Sequence, residues 1–158
     1  LHPESFSPLQ LSFWEPIGVS VACGIIVGLE RQLRGKPLDV RTAVLICLGT
    51  SIFIRLALVI SGDHVDTMRV LGQVVTGVGF LGAGVILTRS GHVVGLTTAS
   101  VVWALAAIGA AIGFRLYAAA LAWSVVVFVV LMTLELLENR IAAMRRGAHA
   151  RDQRSKEL

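Results

Sequence analysis

The chain has 158 residues, 55% hydrophobic and only 15% charged, with a mean hydropathy of +0.78. A soluble domain carries about 25% charged residues, so too few charges are present to coat a water-exposed globule, and lipid is the implied solvent. The net charge of +4 does not indicate a nucleic-acid surface, because Lys and Arg stand between apolar runs and in the tail rather than in one stripe with interleaved aromatics.

A helix that spans a bilayer needs about 20 mostly apolar residues. Five segments meet that need: Phe13–Leu29, Thr42–Ile60, Val70–Leu87, Gly95–Gly113 and Leu116–Leu134. The expected fold is therefore all-α, a polytopic bundle of about five transmembrane helices. In the first segment Trp14 suits the headgroup level, and Pro16 suits a first helical turn, where its missing N–H costs nothing. No basic n-region of a signal peptide precedes it, so it is expected as a retained helix. Its uninterrupted apolar part, Ile17–Leu29, is short, which puts Glu30 and Arg31 at the membrane boundary. Glu30 has Arg34 four residues later, the favourable order for a helical ion pair. An ionisable residue at membrane depth carries functional weight by default, while a boundary salt bridge is the bland alternative.

Arg41 opens the second segment, either facing the vestibule of Glu30 or anchoring the topology. Arg55, near that segment's far end, is expected to snorkel. Cys23 and Cys47 lie inside apolar runs and make neither a disulfide framework nor a C-x-x-C site.

The third segment begins with Asp66 and Arg69, three residues apart, a local pair or an outer gate. It carries Gly72, Gly77, Gly79, Gly82 and Gly84. At about 100° per residue, Gly72, Thr76, Gly79 and Ala83 share one face, and Gln73, Gly77 and Gly84 a neighbouring one. Small residues let helices approach closely in lipid, so this helix is expected to be central and to touch partners on two sides. Gly77-x-Gly79-x-x-Gly82 matches a dinucleotide fingerprint but lacks the preceding strand that motif needs; an unwound helix lining a polar cavity is the other reading. The fourth segment offers a matching stripe of Thr97, Ser100, Ala104, Ala107 and Ala111, with Thr97, Thr98, Ser100 and Trp103 as expected hydrogen-bonding counterparts of Gln73 and Thr76. Gly24-x-x-x-Gly28 and Gly109-x-x-x-Gly113 can each close a helix pair, within the chain or in a homodimer.

The fifth segment is expected to continue as an amphipathic helix over Glu135–Ala150, with a disordered polar stretch after Gly147. Of the 14 Lys and Arg residues, eleven fall on one side of a five-span arrangement, whereas only Arg69 and Arg115 fall on the other and Arg55 lies within a span. The positive-inside rule then places the N-terminus outside and the C-terminus in the cytoplasm. The expected organisation is an extracytoplasmic segment 1–12, a transmembrane domain 13–137 and a basic cytoplasmic tail 138–158. No nucleophile has a base beside it and no His, Cys or carboxylate spacing suits a metal, so neither catalytic residues nor a cofactor are expected.

Three ordered stretches resemble the signatures of the MgtC/SapB family: Gly28-Leu-Glu-Arg-Gln-Leu-Arg-Gly-Lys-Pro37 with Val40-Arg-Thr42; Asp66-x-x-Arg-Val-x-x-Gln-Val-Val-Thr-Gly-Val-Gly-Phe-Leu-Gly-Ala-Gly84; and Gly95-Leu-Thr-Thr-Ala-Ser-x-x-Trp103. The resemblance covers roughly Gly18 to Leu137. It implies a bacterial inner-membrane protein of about five helices. It also implies links to growth in low magnesium, survival in macrophages and acid stress, and inhibition of an F-type ATP synthase as one mode of action. Glu30, Arg31, Arg34, Arg41, Asp66, Arg69, Gln73, Thr97, Thr98 and Trp103 fall on the family motifs. Ala43 departs from the His common after Arg-Thr in the family. The short polar stretch after the fifth segment stands where virulence-type members carry a cytosolic domain, which favours a SapB-like branch. The expected role is a regulator that meets another membrane complex, or its own copy, through small-residue faces. The alternative is a small transporter or channel with a polar vestibule near Glu30.

Overall fold

The computed structural model describes residues 7–60, 67–89 and 92–156. Five helices run in the order α1 (Leu11–Leu33), α2 (Val40–Ile60), α3 (Thr67–Gly84), α4 (Leu96–Gly113) and α5 (Tyr117–Lys156), with strands β1 (Leu87–Arg89) and β2 (His92–Val94) between α3 and α4. The strands pair antiparallel, Leu87 with Val94 and Arg89 with His92. The fold is helical, as expected, and the short hairpin only takes up the end of the third helix, which stops at Gly84 rather than Leu87.

Local chemistry sets the helix boundaries. At the end of α1, Lys36 N–H donates to the Arg31 carbonyl and Gly35 N–H to the Gln32 carbonyl, with Gly35 at φ 61°. This is the left-handed C-cap for which glycine is the least strained residue. Pro37 follows, and Asp39 then starts α2: its Oδ1 accepts the Thr42 N–H at 2.8 Å and the Thr42 hydroxyl at 2.7 Å, satisfying an orphan donor of the first turn. These hydrogen bonds, and Arg41 more weakly, hold the Asp39 carboxyl below its ordinary value. The α4–α5 turn repeats the C-cap with Arg115 at φ 63°.

Pro16 does not sit in the first turn, because α1 begins earlier, at Leu11. A proline inside a helix leaves the carbonyl four residues back without its N–H, here that of Ser12. Arg55 reaches from α2 and donates Nη2 to the Ser12 carbonyl at 3.2 Å. The guanidinium is thus buried between helices rather than snorkelling, and it satisfies a backbone acceptor for which lipid offers no donor.

Close glycine contacts build the core. A Cβ at Gly24 would lie 2.5 Å from Val44 Cα, and one at Gly28 2.7 Å from Val40 Cα, so the first G-x-x-x-G presses α1 onto α2. A Cβ at Gly109 would meet the Cys47 carbonyl at 2.5 Å and one at Gly113 Ile54 Cβ at 2.6 Å, so the second presses α4 onto α2. Both motifs are intramolecular. Cys23, Val27, Ala43, Cys47, Leu105, Ile108 and Ala120 fill the space between α1, α2, α4 and α5. The helix α4 touches all four others, and α2 packs on α1, α4 and α3.

The helix α3 is continuous but peripheral. It rests on α4 and more loosely on α2, and among the described residues Val78 is its one buried hydrophobic side chain. A Cβ at Gly72, Gly77, Gly79 or Gly84 would meet nothing within 4 Å, and one at Gly82 only Ala99, at 3.8 Å. A central position for this helix, and an unwound segment within it, are both corrected.

Among the described residues, four helices are long and apolar enough to cross a membrane: α1, α2, α4 and the Tyr117–Leu137 part of α5. Leu121, Trp123, Val126, Val129, Val130 and Leu134 of α5 are exposed, as side chains facing lipid should be. The 18 residues of α3 give about 27 Å of length, but its glycines, Gln73 and Thr76 dilute its apolarity. The helix α5 continues through Gly147 to Lys156, where disorder was expected. The side chains of its last part and residues 61–66, including Asp66, lie outside the described residues.

Candidate functional site

The polar centre lies where α1 ends. Glu30 falls one turn from the helix end on the face that α2, α4 and α5 cover, and its side chain is only 2% exposed. The 3.6-residue period brings Arg34 over it, with Nε 2.9 Å from Oε1. That approach is ionic rather than a directed hydrogen bond, and neither carboxylate oxygen has a hydrogen-bond donor among the described residues. Arg34 also reaches α5, where Nη1 lies 2.9 Å from Glu135 Oε2, and Lys36 Nζ approaches Glu135 Oε1 at 3.8 Å. One guanidinium therefore bridges two carboxylates, and through them α1 and α5.

Arg31, also buried, turns toward α4 and donates Nη2 to Thr98 Oγ1 at 3.3 Å. Its Nε has no hydrogen-bond partner among the described residues. The first and third motifs thus meet through Arg31 and Thr98, and the second and third through Gly82 against Ala99.

The other expected site residues are not gathered here. Arg41 has a side chain 91% exposed, paired with Asp39 at 3.4 Å, so it faces away from the Glu30 cluster. Thr76 and Ser100 donate to carbonyls of their own helices, Gly72 and Leu96, both at 3.0 Å. Thr97 and Trp103 are exposed. Gln73 and Arg69 line a polar recess at the start of α3. Of the hydroxyls expected to join α3 to α4, Thr98 is the one with an interhelical bond among the described residues, and its partner is on α1. The stripe Thr97, Ser100, Ala107 on α4 is likewise exposed, and Thr98, Val101, Leu105 and Ile108 form its buried face instead.

Sequence reasoning missed Glu135, Lys36 and the Arg55–Ser12 contact. A signal for Glu135 was present: it ends the apolar run of α5 at the same end of the bundle where Glu30 ends that of α1. The arrangement can neutralise buried charge and tie three helices together. Among the described residues, the cavity of about 630 Å³ between α2 and α3 and that of about 310 Å³ between α3 and α4 are apolar, and Glu30 lines neither.

Comparison with known proteins agrees with the motif geometry. Residues 17–140 match the model of the MgtC family. The chain is 46% identical over 129 residues to a protein of Escherichia coli (strain K12) described as a putative magnesium transporter, YhiD, covering 77% of this chain and 60% of that one. It is 37% identical over 144 residues to Protein MgtC of Brucella abortus (strain 2308), covering 85% and 60%. It is 38% identical over 114 residues to Protein SapB of Bacillus subtilis (strain 168), covering 67% and 49%. The chain therefore spans at most about 60% of the length of these relatives. No solved structure matches it. With three motifs joined in one helical bundle and most of the chain matched, the protein belongs to the MgtC family, as a multi-pass helical membrane protein.

Proposed function

We propose that the chain is a regulatory protein of the bacterial inner membrane, with five spans, the N-terminus outside and no catalytic chemistry of its own. It docks onto another membrane complex, and onto its own copy, through the outward face of α3. The observation that carries this reading is that Gly72, Thr76, Gly79 and Ala83 are all exposed on one face of α3, with room for a Cβ at both glycines. Close helix packing is what drives association in lipid. In this reading the regulator serves magnesium homeostasis and acid stress, with an F-type ATP synthase as one partner of the required kind.

A magnesium transporter is the second reading, favoured by the name given to the Escherichia coli relative and by the buried Glu30. The surroundings of Glu30 argue against it. Mg²⁺ seeks several oxygen ligands, whereas Arg34 already engages both Glu30 and Glu135. Gly79→Leu is expected to abolish co-purification with the partner complex and crosslinking between copies while the protein still inserts. Undiminished association would reject docking through this face. Mg²⁺ flux in proteoliposomes, lost on Glu30→Gln, would establish the transporter instead.

A further inference from the structure

On the side of α3 opposite Gly72, Thr76, Gly79 and Ala83, about 200° around the helix at 100° per residue, α2 and α3 stand apart and leave a groove of about 630 Å³. Its walls are apolar, with Phe53 and Leu81 among them, and Gly49 of α2 and Gly77 of α3 both line it. A Cβ at either glycine would meet nothing within 4 Å, so these glycines widen the groove and do not close a helix contact. On α2 the groove runs from Thr42 to Phe53, about 16 Å at the helical rise, a length suited to an extended acyl chain. At the end where α3 begins it continues into a polar recess of about 310 Å³ lined by Arg69, Val70 and Gln73, the last two shared with the groove. Arg69 is exposed and forms no ion pair with another described residue.

A slot that is apolar along its length and cationic at one end has the polarity of an anionic amphiphile. We infer that the α2–α3 groove is a binding site for an anionic glycerophospholipid, with one acyl chain between Gly49 and Gly77 and the phosphate against Arg69 and Gln73. A guanidinium and an amide suit phosphate oxygens, to which arginine donates charge-assisted hydrogen bonds. A partner helix would answer Arg69 only where it carried a carboxylate at that level, whereas a phosphate headgroup brings its charge there with the acyl chain. The site uses the face of α3 that the partner proposal does not, so the two succeed or fail separately.

Native mass spectrometry of the full chain in detergent, with added phosphatidylglycerol or phosphatidylcholine, tests the site. The expected result is one retained phosphatidylglycerol per chain, held roughly tenfold more tightly than phosphatidylcholine, whose choline cation offsets the phosphate charge that Arg69 meets. Arg69→Gln should erase the preference. Gly77→Leu and Gly49→Leu should displace both lipids at unchanged helicity, because each side chain enters open space. Gly79→Leu should retain the lipid. Equal retention of the two lipids by the native chain, or retention unaffected by Gly77→Leu, would overturn the assignment. So would a Gly77→Cys crosslink between two copies that excludes lipid, since a second chain would then fill the groove.

Discussion

Arg34 supplies the countercharge that the buried Glu30 meets within its own helix. A carboxylate nine-tenths removed from solvent is tolerated when a cation lies beside it, and Nε at 2.9 Å supplies one. Removing one partner of a buried pair strands the other, which costs about 3–5 kcal/mol, whereas removing both can be close to neutral. Arg34→Ala is therefore expected to lower thermal stability in detergent by about that amount. Arg34→Ala with Glu30→Gln should recover most of the loss, because the remaining amide carries no charge to strand. Equal instability of the single and double variants would show that Arg34 acts mainly through Glu135. The Glu30–Arg34 pair was legible in the sequence because it is local, four residues along one helix. Glu135, Thr98 and Ser12 were not, because each joins residues distant in the chain and depends on which helix faces become neighbours. Pro16 becomes a hint only with the helix start at Leu11 in view, since a proline six residues into a helix leaves a carbonyl that something must answer.

The glycines separate into two kinds only when neighbouring helices are in view. As spacing, Gly109-x-x-x-Gly113 and the glycine-rich run of α3 look alike, and both suggest close packing. In the bundle, a Cβ at Gly109 would meet α2 backbone, whereas one at Gly79 meets open space. Overpacking a tight contact costs about 1–3 kcal/mol, sometimes more. Gly109→Ala should thus destabilise the protein by at least that amount in thermal unfolding, and Gly79→Ala should leave unfolding unchanged; similar losses for both would mean that α3 packs inward. The α2 start obeys local chemistry more simply, through the Asp39 cap. Its carboxyl is held below the ordinary value of 3.8, so ionised Asp39 contributes fully above that value, and the contribution is lost as pH falls through the lowered one. Asp39→Asn, which keeps a capping oxygen, should flatten this acid-dependent part of helicity loss followed by circular dichroism between pH 5 and 2. An unchanged acid titration would remove Asp39 from the account.

For the whole molecule, the question is how many times the chain crosses. Four helices meet the requirement on apolarity and length, and α3 decides between four spans and five. With α3 inside the membrane, Arg31, Arg34, Lys36, Arg41, Arg89 and the tail arginines share one side, as the positive-inside rule favours. With α3 outside, the first loop and the tail would lie on opposite sides if the other four helices all cross. The structure gives a second argument. Arg34 and Lys36 meet Glu135 across α1 and α5, so the ends of these two helices lie at one level of the bundle. The helix α5 has 40 residues, about 60 Å, twice the roughly 30 Å of a hydrocarbon core, so the part beyond Glu135 must emerge on that same side. Cysteines placed at Lys36 and Arg151 are thus expected to be shielded from an impermeant thiol reagent in intact cells and labelled after lysis. One at Arg115 should be labelled without lysis, and Cys23 and Cys47, both fully buried, should stay silent in each case. Labelling of the Lys36 and Arg151 positions from opposite faces would break the link between the salt-bridged end and the cytoplasm. It would remove the five-span topology together with the orientation read from charge.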